Sequence, residues 1–103
     1  MREVFVVAGY TDDYESAHSL VAAFARGADA QELVQRLTLA HDRLRGRFSA
    51  CHDLEGDDAA LGCLERARAR ARAAFRKLGD DCDHAIDPDA RWHVLTIPLR
   101  GAS

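Results

Sequence analysis

The chain has 103 residues, of which 48% are hydrophobic and 30% charged, with a formal net charge of −3. It reads as one soluble domain spanning 1–103. It is too short for two ordinary domains and too apolar for disorder, and it lacks the ~18-residue apolar run of a membrane helix. The acidic balance argues against a dedicated nucleic-acid binder, which is usually basic, although a local patch can override a net charge.

Val4 to Ala8 is a β-branched and aromatic run closed by Gly9, and it predicts a buried strand. Thr11, Asp12, Asp13 and Glu15 are residues that start helices. Tyr14, Ala17, His18, Val21, Phe24 and Ala25 follow at three- and four-residue spacing, with Gly27 as a stop. A first helix is therefore expected over 12–26. Asp29 and Glu32 then resemble a capping box. Leu33, Val34, Leu37, Ala40, His41, Leu44 and Phe48 mark one face of a second helix over 30–52, with Gly46 inside it. Residues 53–58 form an acidic turn. Leu61, Leu64, Ala67, Ala71, Ala74, Phe75 and Leu78 mark a third helix over 58–78, stopped by Gly79. An acidic loop with Pro88 leads to a last strand from Trp92 to Leu99, and Pro98 near its end suits an edge or terminus.

The expected architecture is α+β in the order β-α-α-α-β. Three helices would pack on a two-stranded sheet formed by the first and last strands. Two strands alone make a marginal sheet, so this sheet is expected to gain cover, with room for a homodimer in which it extends across two copies. Antiparallel pairing of the two strands would bring Tyr10 and Trp92 to one end of the sheet.

Three cysteines, Cys51, Cys63 and Cys82, with no secretory signal at the start of the chain, predict reduced thiols behaving as small hydrophobes in a cytoplasmic setting. Cys51-His52 and Cys82-x-His84 together make a Cys2His2 count, which leaves a small metal-binding protein as one reading. Their spacing matches no zinc finger or ribbon. Asp81-x-Asp83 begins like a calcium loop but lacks the turn glycine and the closing glutamate. His18 and His41 fall on apolar helix faces, where a satisfied, half-buried histidine is the expected role. His41-Asp42 and His52-Asp53 lack the further ligands that metal phosphohydrolases place around such a dipeptide.

No serine sits in a nucleophile elbow, and no glycine-rich phosphate loop is present. The opening run from Val4 into Thr11-Asp12-Asp13 resembles, over about ten residues, the first strand-to-helix turn of nucleotide-binding α/β domains. The alternating strands of those folds do not follow, and no property is transferred. No catalytic residue and no cofactor is expected, and the chain is read as a non-enzyme.

Two charged segments remain. Five acids, Asp80, Asp81, Asp83, Asp87 and Asp89, follow a helix end that should prefer cations. With Tyr10 and Trp92 they form the candidate partner-binding set. The reading is a small bacterial or phage protein of inhibitor, immunity, antitoxin or anti-defence type, blocking or regulating a basic protein partner. The alternative is a nucleic-acid-binding regulator that uses Arg66, Arg68, Arg70, Arg72 and Arg76 of the third helix. The bland reading of those arginines is a solvated amphipathic face.

Overall fold

The computed structural model describes residues 2–11, 17–87 and 89–99, without the side chains of Ala17, His18, Asp83 and His84. The described residues form strands β1 (Arg2–Tyr10) and β2 (Ala17–Phe24), helices α1 (Gly27–His52) and α2 (Asp57–Lys77), a 3₁₀ turn (Asp83–Ile86) and strand β3 (Arg91–Leu99). The strands make one antiparallel sheet in the order β2-β1-β3. The fold is α+β, but in the order β-β-α-α-β, which corrects the expectation of three helices on two strands. Residues 17–24 are a strand, not the second half of a helix.

The cause lies in residues 20–24. Leu20 to Phe24 is a continuous apolar run, and such a run satisfies helical spacing and strand pairing equally. Pairing against β1 decides between them. Phe24 meets Phe5, Ala22 meets Val7 and Leu20 meets Ala8, with a register shift at Val7/Ala8. The expected caps Asp12, Asp13 and Glu15, and Tyr14, lie outside the described residues.

The first and last strands pair antiparallel, with Gly9 opposite Trp92 and Tyr10 opposite Arg91. One face of the sheet, carrying Phe5, Val7, Val21, Phe24, Trp92 and Val94, packs against α1. The apolar stripe of α1 holds Ala30, Leu37, His41 and Leu44 in the interior. The other helix, α2, packs on α1 and the 3₁₀ turn. It reaches the sheet through Phe75, whose ring stacks on Trp92 with centroids 5.4 Å apart. Gly79 ends this helix with φ +97°, a conformation that strains any residue with a Cβ.

The sheet ends at Tyr10 and Arg91, level with His41, whose ring meets Trp92 edge-on at 5.7 Å. Beyond that point α1 continues through His52, about 16 Å further at 1.5 Å per residue. With the first half of α2 it forms a two-helix arm, and the molecule is accordingly elongated, 64 × 24 × 16 Å. Cys51 and Cys63 join the arm's helices in a disulfide, with Cα atoms 5.5 Å apart. This overturns the reading of three reduced thiols, and with it the argument from cysteine usage for a reducing compartment. An antiparallel helical hairpin with a short turn brings Cys51 and Cys63 level, which the odd cysteine count concealed. Among the described residues no helix is long and apolar enough to cross a membrane.

Candidate functional site

The described acids after α2 differ in exposure and in partners. Asp80 is only 2% exposed. Its carboxyl oxygens accept hydrogen bonds from Trp92 Nε1 (2.8 Å), the Cys82 backbone N–H (3.0 Å) and Ser19 Oγ (3.2 Å). It therefore ties β2, the turn after α2 and β3 together. Asp81 is exposed and faces Arg76 at 3.5 Å. The Asp87 carbonyl accepts from His41 Nε2–H at 2.7 Å, and Asp87 and Asp89 are half-buried. The Asp83 side chain lies outside the described residues. Asp81 is thus the one acid of the five whose described side chain is exposed.

Trp92 is a core residue, 7% exposed, held between Phe75, His41 and Asp80. Tyr10 stacks on His93 with centroids 4.7 Å apart. Both Tyr10 and Trp92 line a groove of about 450 Å³ with Thr38, His41, Arg45 and Arg91, so they do lie at one end of the sheet. His41 is buried and hydrogen-bonded, as expected for a satisfied core histidine. The zinc reading loses its ligand set, because Cys51 is bonded to Cys63. Among the described residues no three His, Cys, Asp or Glu side chains stand close enough to hold a metal.

The arginines are more informative. On the arm, Arg43, Arg45 and Arg47 of α1 and Arg66, Arg68, Arg70 and Arg72 of α2 are all exposed; Asp42 and Glu65 stand among them in sequence, and four further exposed acids, Asp53, Glu55, Asp57 and Asp58, lie at the arm's tip. Arg47, Arg66 and Arg70 line one groove of about 210 Å³ together with Ala50, Cys51, Cys63 and Ala67. Small side chains and the disulfide make its floor, so the guanidinium groups form the rim. Arg66 and Arg70 are one helical turn apart, about 6 Å along α2. Arg47 enters from α1 because the helices run antiparallel and are stapled at this level. Gly62 also contributes, since a Cβ there would come within 3.3 Å of the Arg66 guanidinium.

No acid lines this groove. Among the described residues, none of the three guanidinium groups has an ion-pair partner. Three like charges around one cleft raise the local potential and favour an anion. Planar guanidinium forks suit the oxygens of phosphate or carboxylate.

The five arginines picked out from the sequence therefore separate. Arg66 and Arg70 share the groove. Arg68 lies over the Phe48 ring at 6.0 Å. Arg72 and Arg76 line a small cleft with Asp80 and Asp81 at the other end of α2. Arg47 belongs to the groove but is not among the five, because it lies toward the C-terminal end of α1, where the helix dipole alone accounts for a cation. Its proximity to α2 could be found only by pairing the two helices.

No family model, no curated protein and no solved structure matches this chain.

Proposed function

We propose that this protein is a non-enzymatic nucleic-acid-binding protein whose helical arm docks on the phosphate backbone. The observation that carries the reading is the groove in which Arg47, Arg66 and Arg70 converge without an acid. Arg43, one turn from Arg47 on α1, extends the basic surface, whereas Arg68, about 180° around α2 from Arg66 and Arg70, lies over Phe48 on the opposite flank of the arm. The arm offers no stacking platform for unpaired bases, since its aromatic residue, Phe48, is half-buried beneath Arg68. Single-strand binders rely on such platforms, so the favoured ligand is a duplex read through its backbone, with little sequence preference.

The reading from the acidic loop, a blocker of a basic protein, has less behind it once Asp80 holds the fold together and Asp81 faces Arg76.

The test is fluorescence anisotropy of a labelled 20-base-pair duplex titrated with the full chain at low salt. Binding at micromolar protein is expected. Substituting Arg47→Ala or Arg70→Ala should weaken it roughly 10-fold or more each, as for the loss of one charge-assisted contact. Arg36→Ala should leave it unchanged, because Arg36 pairs with Glu32 away from the arm. A flat titration for both DNA and RNA duplexes, or equal loss with Arg36→Ala, would overturn the proposal.

A further inference from the structure

Among the described residues, helices layer only one face of the sheet. Strand alternation places Val4, Val6 and Ala8 of β1, Leu20 and Ala23 of β2, and His93, Leu95, Ile97 and Leu99 of β3 on the face turned away from α1; the β1 residues are covered, Ala8 fully and Val4 and Val6 in part, and the exposed surface is that of β2 and β3. Leu20 is 73% exposed, Ile97 and Leu99 46% each, and Leu95 39%. Monomeric proteins rarely leave a contiguous apolar patch of more than a few hundred Å² open to water. Between Arg2 at one end and Arg91 at the other, the described residues of this face carry no formal charge. The second half of β3 is exposed on both faces, Leu95 through Leu99, because the strands run on past the start of α1.

We infer that this face is covered by the same face of a second copy of the chain, the two sheets stacking to give a helix-sheet-sheet-helix dimer. Area argues for this occupant. A face of three strands some 30 Å long and about 20 Å wide, with the overhang of the edge side chains, offers roughly 600 Å². Two such faces bury roughly 1,200 Å², the lower bound of specific interfaces. Aligned sheets stack ~10 Å apart with their side chains interdigitated, which uncharged rows of Val, Leu and Ile allow. An isologous contact brings each patch against itself, and a patch without charge at its centre meets its copy without like-charge repulsion. The arrangement differs from edge-to-edge extension of the sheet, since it leaves the outer edges of β2 and β3 unpaired.

Sedimentation equilibrium of the full chain from ~1 µM to ~1 mM tests the inference. The mass should rise from one chain to two, with a midpoint in the micromolar range suited to so small an interface. Leu95→Lys and, separately, Leu20→Lys should each weaken the dimer at least ~10-fold while the circular dichroism spectrum stays unchanged, because both side chains are exposed. Leu20 and Leu95 sit on different strands, so a folding failure in one variant leaves the other as the test. Hydrogen exchange at dimeric concentrations should leave the edge amides of β2 and β3 unprotected. A single-chain mass throughout would overturn the inference and assign the face to a different partner. Dimerisation unaffected by either substitution, or new protection along a strand edge, would equally overturn it in favour of another interface.

Discussion

Asp80 gives the sharpest test of how the fold is held. Its carboxyl group is buried and accepts three hydrogen bonds, from Trp92 Nε1, the Cys82 N–H and Ser19 Oγ. In Asp80→Ala the indole N–H remains inside the protein without an acceptor, which costs ~1–3 kcal/mol. The Cys82 N–H and the Ser19 hydroxyl are only partly buried and recover some bonding to water. The total is about 3 kcal/mol, a large share of the 5–15 kcal/mol that holds a domain together. For a domain of this size that lowers Tm by roughly 12–24 °C. Asp80→Asn keeps one acceptor oxygen but turns a donor toward one of the three donors, so its cost should fall between those of alanine and the native residue. The assay is urea and thermal unfolding followed by circular dichroism and by the fluorescence of Trp92, the sole tryptophan. Asp81→Ala is the control, since its exposed ion pair with Arg76 contributes at most ~1 kcal/mol. If Asp80→Ala cost no more than Asp81→Ala, the account of Asp80 as an internal tie would be refuted, and its place in a partner-binding surface would regain support.

Other substitutions should follow the same physics. Phe75→Ala empties a site that is 1% exposed beside the Trp92 ring and should cost ~3–5 kcal/mol, measurable by urea unfolding. Gly46→Ala should stabilise by up to ~1 kcal/mol and raise Tm, because Gly46 lies in mid-helix and a Cβ there meets no atom within 4 Å. Gly79→Ala should instead destabilise by about 1–2 kcal/mol, since its φ is +97°. A paired Cys51→Ser and Cys63→Ser variant loses a cross-link of sequence separation 12. By chain entropy that is worth about 3 kcal/mol, and hydrogen exchange should show the loss concentrated in the arm.

What could be read from the sequence follows the strength of each local signal. The two long helices were legible because their apolar stripes repeat over many turns and Gly79 marks a stop. β1 and β3 were legible as β-branched runs, and their antiparallel pairing put Tyr10 beside the Trp92 end. β2 was not, because Leu20 to Phe24 fits either period and only contact with β1 decides. Asp80 looked like its acidic neighbours, and nothing local to residues 80–89 shows that Trp92 and Ser19 converge on it. The arginine groove depends on the register between α1 and α2, set by a short turn and a disulfide that an odd cysteine count hid. Long-range pairing, not propensity, carries each of these differences.

The central claim is that Arg47, Arg66 and Arg70 engage phosphates, and the salt dependence of duplex binding tests it most directly. Each neutralised phosphate contributes about −0.9 to the slope of log K against log salt, so three contacts predict a slope near −2.7 and a ~40-fold loss of affinity from 50 to 200 mM. In the Arg47→Gln, Arg70→Gln double variant the slope should fall to about −0.9. A slope near zero in the native protein, or one that the double variant leaves unchanged, would contradict the account.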